Sequence, residues 1–414
     1  MADHENDTAR AMLTLCGISY RGISIALPEK LKRLRLRALM DACMTQFSAV
    51  KDRWKIVWGP ADFSATSPGL DDVLMYIAQR VDSPSTVAIT IRGTNPMSPH
   101  DWVFGDLMVT HQVPWAYGAP EATKNCMISA STAFGLRILQ QLRWEDTVSA
   151  GATAATVTAG GIDSKQPSSV EEWADLLKAR LTSSAATTLK ETLELQLNDL
   201  KNSVFNLSNL LQRKLSIANA EGGTSLKEFL RSHVSINGES VVCVTGHSKG
   251  GALSSTLALW LADTQGPQPD PADEWDHDRK AAIHFYSFAG PTAGNELFAH
   301  YSDQILQSDC HRIWNQQDIV PRAFIADELT SISDLYGLSG LERDTVNKIT
   351  TTVADRVRTL DYRQICGTGT RLDGELMRST PLLLQIVHQH LDSYLDKYAL
   401  LNEMSAASLL APVL

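Results

Sequence analysis

Six cysteines in 414 residues, none in a C-x-x-C pair, give the chain neither the spacing of a zinc knuckle nor a dense disulfide framework. Cys16, Cys43, Cys126, Cys243, Cys310 and Cys366 lie far apart, and Cys243, inside an apolar run, reads as a small core residue. Positive charge is also short. With 37 Lys and Arg against 47 Asp and Glu, the formal net charge is −10, which argues against a general nucleic-acid binder. No apolar stretch reaches the roughly 18 residues of a membrane span. The opening Met1-Ala2-Asp3-His4-Glu5-Asn6-Asp7 is acidic and carries no basic-then-apolar leader. A soluble protein is expected, and its localisation stays open, because a chain whose leader has been removed would read the same. Hydrophobic residues at 43% and charged residues at 20% suit a sizeable core, in one large α/β domain with insertions or in two domains.

The most informative stretch is Val241 to Leu253. A β-branched run, Val241-Val242-Cys243-Val244-Thr245, enters Gly246-His247-Ser248-Lys249-Gly250, and a helix-compatible run from Ala252 to Asp263 follows at once. G-x-S-x-G between a strand and a helix is the pattern of a nucleophile elbow, where only glycine fits two residues either side of the serine. The turn lifts the Ser248 hydroxyl clear of the sheet and aims a helix N-terminus at developing negative charge.

Upstream, residues 8 to 50 read as helical, with Lys30, Lys32, Arg33, Arg35 and Arg37 on one stretch that is either a solvated face or, less simply, a membrane-surface helix. Trp54 to Trp58 reads as a strand stopped by Gly59-Pro60, and Asp72 to Ala78 as another. Val87 to Ile91 is a strand running into Arg92-Gly93-Thr94. This exit is either a plain turn or the second half of an oxyanion hole. A helix is expected over Ile128 to Leu142, a flexible linker over Ser149 to Gly161, and a long amphipathic helix through Leu189, Leu193, Leu197, Leu200, Val204, Leu207, Leu211 and Leu215. That stripe is core packing or the apolar face of a cap. Ser225 to His233 reads as a short helix, Ala281 to Phe288 as a strand, Gly294 to Leu306 as a helix and His311 to Asn315 as a strand. This alternation predicts a mostly parallel sheet covered by helices, with active residues at the strands' carboxyl ends.

A serine nucleophile needs a base and an acid that orients the base, in the chain order serine, acid, histidine for such a sheet. Asp318 directly follows a predicted strand; its simpler reading is a turn aspartate. Only His388 and His390 follow it. Two residues apart, they point to opposite sides of a helix. His390, expected on a loop just before a helix start at Leu391, is preferred as the base.

Arg92-Gly93-Thr94 with Asp101-Trp102, the elbow, Tyr286 to Pro291 with Gly294-Asn295, Asp318 to Arg322, and His390 with Tyr394 together resemble the class 3 lipase family, typified by fungal triacylglycerol lipases. The resemblance implies an α/β-hydrolase fold, with a mostly parallel central sheet flanked by helices and a helical insertion. It also implies a catalytic triad of Ser248, His390 and Asp318, and an oxyanion hole from Thr94 and the Lys249 N–H. A lid over Asn95 to Trp115 would carry the substrate-contacting Trp102. Lys249 stands where the family usually has an apolar residue.

Residues 1–144 and 223–414 are then the two parts of the hydrolase domain, with 145–222 a helical insertion or cap. The expected activity is a serine ester hydrolase cleaving acylglycerol esters through an acyl-enzyme. A carboxylesterase or phospholipase of the same mechanism is the alternative, and a catalytically silent scaffold a more distant one. No cofactor or metal is expected. The expected partners are an ester or lipid substrate and a transient lipid interface, with no nucleic acid; oligomeric state is left open.

Overall fold

Apolar runs that are hydrophobic at consecutive positions have to be buried on both faces, and the strands here are. The computed structural model describes residues 2–21, 29–63, 73–93, 108–145, 222–378 and 380–404. Within them seven strands form one sheet. They are β1 (Trp54–Phe63), β2 (Val73–Arg80), β3 (Thr86–Ile91), β4 (Ser240–His247), β5 (Ala281–Phe288), β6 (Cys310–Asn315) and β7 (Thr370–Leu372), adjacent in that order. The pairs β1–β2 and β2–β3 are antiparallel. From β3 to β7 every pairing is parallel, which is the mostly parallel sheet the sequence predicts.

Alternate side chains serve two cores. Met75, Ile77, Val242, Val244 and Phe285 pack under α3 (Ala130–Gln141), α4 (Leu226–Asn237), α5 (Lys249–Asp263) and α6 (Glu296–Leu306). Leu74, Tyr76, Cys243, Tyr286 and Phe288 pack under α1 (Ala2–Ile18) and α2 (Glu29–Met44). A further helix, α7 (Gly340–Val357), lies over a smaller cluster with Val109, Leu329 and Tyr362.

Two expectations are corrected. Strand β1 does not stop at Gly59-Pro60 but continues to Phe63, with register shifts between Ile56 and Trp58 and between Trp58 and Ala61. It is an edge strand, where a bulge accommodates a residue that has no N–H. Three cations of the basic stretch in α2, Lys32, Arg33 and Arg37, turn to β1 rather than to solvent or a membrane surface. Lys32 is 1% exposed and ion-paired with Asp62 of β1, and the Arg33 Nε donates to the same carboxylate at 2.9 Å. Arg37 donates to the Ile56 and Gly59 carbonyls at 2.6 and 2.9 Å, so the helix clamps the irregular edge strand through its cations.

Residues 146–221, with the leucine stripe and the expected linker, lie outside the described residues. Their flanks are described. Arg143 and Trp144 pair antiparallel with Ser225 and Thr224, and Ser225 then caps α4 through a capping box with Glu228. A disulfide joins Cys310, at the start of β6, to Cys366, 56 residues on; the other four cysteines are buried and free.

Candidate active site

The elbow forms where β4 runs into α5. Ser248 sits between them at φ 59°, ψ −132°, in the region a non-glycine residue occupies only when its surroundings hold it there. What holds it is close backbone approach. A Cβ on Gly246 would collide with the Gly250 carbonyl, and one on Gly250 with the Ile91 carbonyl at the end of β3. On Gly251 it would lie 2.6 Å from the Ser287 Oγ. The Ser248 N–H donates to the Phe288 carbonyl at the end of β5, 2.9 Å away. Ser248 is 8% exposed, and Lys249 is the first residue of α5, so its backbone N–H points out of the positive end of the helix. Gly93 packs so closely that a Cβ there would stand 3.0 Å from the Ser248 Cβ. The chain thus leaves β3 beside the serine. Thr94 and Trp102 themselves lie outside the described residues, as does most of the expected lid. The last part of that segment is not lid-like: Trp115 is 4% exposed and donates to the Asp263 carboxylate at 2.8 Å, anchored to α5.

Asp318 follows β6 in a turn closed by its own N–H on the Asn315 carbonyl. Its two oxygens divide the work. Oδ1 accepts the Val320 N–H at 3.0 Å, the job of a turn aspartate, while Oδ2 accepts from His390 Nδ1 and from the Tyr394 hydroxyl, each at 2.9 Å. The carboxyl is fully buried. Because a carboxylate only accepts, Nδ1 carries a proton, so in the neutral imidazole the lone pair is at Nε2. Tyr394 is held protonated: burial, and then the Asp318 charge, push its hydroxyl well above the usual phenol range. The same hydroxyl accepts the Asn315 N–H at 2.9 Å.

His390 is not on a loop, as expected, but in a π-helical turn, His388–Asp392, between the helical segments Leu382–Val387 and Ser393–Lys397. Wide turns of this kind recur at functional sites. Gln389, fully buried, fixes this one by accepting from Asn315 Nδ2 at its carbonyl and at Oε1, 2.9 and 2.8 Å away, and by donating to the Glu375 carbonyl at 2.7 Å. His388 points elsewhere, with its Nδ1 3.9 Å from Asp392.

One residue the sequence reading passed over is His247. It is 3% exposed, its Nε2–H donates to the His390 carbonyl at 2.8 Å, and the two rings lie 4.7 Å apart. Its Nδ1 accepts from the Tyr20 hydroxyl at 2.9 Å. Burial, then the neighbouring His390, pull its pKa down to about 3. The residue before the serine therefore joins the elbow to the turn that carries His390, and Tyr20, just after α1, closes the chain of contacts.

A strained serine between a parallel strand and a helix, with an aspartate–histidine pair at the same end of the sheet, defines an α/β-hydrolase. The family model for lipase (class 3) matches residues 168–328, a span that contains Ser248 and Asp318. A crystal structure of M37 lipase is 26% identical over 97% of this chain and 95% of that one, with a TM-score of 0.68. A Rhizomucor miehei lipase propeptide complex is 16% identical over 77% of this chain and 62% of that one, at a TM-score of 0.37. LIP2 lipase from Yarrowia lipolytica is 15% identical over 78% and 75%, at 0.39. No curated protein matches the chain. The chain is thus similar to class 3 lipases over residues 168–328 and to M37 lipase over nearly its whole length, and it is a carboxylic ester hydrolase acting on ester or lipid substrates.

Proposed function

We propose that Ser248 is the nucleophile, His390 the general base and Asp318 the acid that orients it. The observation that carries this reading is the Asp318–His390 hydrogen bond at the end of the sheet where Ser248 is raised at positive φ. His390 Nε2 takes the Ser248 proton as Oγ attacks the ester carbonyl. The Lys249 N–H, with Thr94 supplied by the family resemblance, holds the oxyanion. His390 then protonates the leaving alcohol, and water repeats the sequence on the acyl-enzyme to release the acid.

The test is hydrolysis of p-nitrophenyl esters from acetate to palmitate. Ser248→Ala is expected to lower kcat by at least about a thousandfold, and Asp318→Asn by about ten thousandfold because it favours the wrong imidazole tautomer. Ser248→Ala with near wild-type turnover would overturn the assignment. Rates that peak on long chains support acylglycerol esters as substrates and a transient lipid interface; a peak at acetate or butyrate supports the carboxylesterase alternative.

A further inference from the structure

The sheet also brings together three side chains that the hydrolytic site does not use. His284 lies midway along β5, Asp309 ends the 3-10 turn Gln307–Asp309 that follows α6, and His311 opens β6. The parallel ladder sets Cys310 beside Phe285 and His311 beside Tyr286. Asp309 and His311, two residues apart around Cys310, therefore share the face of the sheet that carries His284. One ligand-capable atom from each of the three lies within 4.8 Å of the other two, and His284 Nδ1 is 3.4 Å from Asp309 Oδ1. The His311 ring is stacked on Tyr286 with centroids 4.5 Å apart and planes 16° from parallel, which fixes its orientation. All three are partly exposed, so an ion can enter and a water can complete the coordination.

We propose that His284, Asp309 and His311 form a divalent-metal site of the zinc type. Two imidazole nitrogens and one carboxylate suit zinc and its transition-metal neighbours, whereas calcium and magnesium favour all-oxygen sets. With metal–ligand bonds of about 2.0–2.1 Å, tetrahedral ligand atoms stand roughly 3.4 Å apart. The His284–Asp309 pair already has that spacing. Rotation of the His284 and Asp309 side chains towards the stacked His311 ring closes the remaining separations, which are within 4.8 Å. His284 is four residues before Phe288, about 13 Å along the strand from the level of the elbow, so the site is separate from Ser248. A bound ion ties β5, β6 and the exit of α6 together beside the Cys310–Cys366 bridge.

The experiment is titration of the untagged, metal-free chain with ZnCl2 by calorimetry, and with Co2+ by visible absorption. One equivalent of Zn2+ is expected to bind tightly, with a four-coordinate Co2+ spectrum that Zn2+ displaces. His284→Gln and Asp309→Asn are each expected to weaken binding at least about tenfold. The metal-free melting temperature and ester hydrolysis of both variants should stay at wild-type values, which shows that they fold. His390→Gln, which removes the imidazole of the hydrolytic site, should leave the Zn2+ affinity unchanged. Absence of stoichiometric binding by the wild type overturns the proposal. So does binding that survives both variants, or binding that is lost in His390→Gln.

Discussion

His247 has two polar neighbours and one arrangement of its proton that satisfies both. The His390 carbonyl only accepts, so Nε2 carries the hydrogen and Nδ1 takes the one from Tyr20. Protonating the ring would bury a charge, and next to His390, hence the fall of its pKa to about 3 from the ordinary 6.5. Between those values the unfolded chain binds a proton that the folded one refuses. The stability tied to this histidine is therefore complete above about pH 6.5 and is lost as pH falls towards 3. His247→Gln keeps both contacts, since an amide can donate to the carbonyl and accept from the hydroxyl. Thermal unfolding between pH 6.5 and about 4 should show a wild-type stability that falls more steeply than the variant's, by up to about 1.4 kcal/mol per pH unit. Parallel curves would mean that His247 is not the group that titrates. What the sequence reveals at this scale is what local geometry demands: glycines two residues either side of a serine, and an aspartate at a strand's end. The Tyr20–His247 contact spans 227 residues and the Asp318–His390 contact 72, and no local pattern encodes either distance.

Among the elements, α2 leans on one buried carboxylate, Asp62 of β1, which Lys32 and Arg33 share. Its Lys32 ammonium and the Asp62 carboxylate of β1 are each about 1% exposed, and Arg33 donates to the same carboxylate. Removing one partner of a buried pair costs about 3–5 kcal/mol, whereas replacing both with apolar groups is often neutral. Asp62→Ala should lower stability in urea by that amount, and Lys32→Met with Asp62→Leu should recover most of it. A loss below about 1 kcal/mol in the single variant would show that water or another partner takes over the ammonium. The helix itself is legible from periodicity. The direction of its cations is not, because a long basic side chain on a half-apolar helix looks the same whether its head meets solvent or a carboxylate 30 residues later. Strand β1 misleads for a related reason. Gly59-Pro60 signals a stop in an isolated strand, but at the sheet edge the ladder absorbs the irregularity in two register shifts. The π-helical turn at His388–Asp392 is likewise held by Gln389 and Asn315, tertiary contacts that no spacing in the helix announces.

On the scale of the whole molecule, the short strand Arg143–Trp144 pairs with Thr224–Ser225. Arg143 faces Ser225, Trp144 faces Thr224, and Arg143 and Glu228 pair across the junction at 2.9 Å. The Trp58 indole of β1 donates to the Thr224 carbonyl at 2.9 Å and fixes the junction to the sheet. We propose that 145–222 is a separable insertion. Replacing 146–221 with a short Gly-Ser turn should then give a folded chain that still hydrolyses short soluble esters through Ser248. A variant that aggregates, or one whose residual turnover survives Ser248→Ala, would show that the segment is part of the hydrolase core. On this proposal the sheet would be nearly indifferent to what the junction carries, since closing a loop costs only about 0.6 kcal/mol more for each doubling of its length. Arg143–Trp144 and Thr224–Ser225 would then act as a socket. Successive versions of the enzyme could lengthen, shorten or exchange what is plugged in there, and so explore new substrates or partners, without disturbing a contact beneath Ser248.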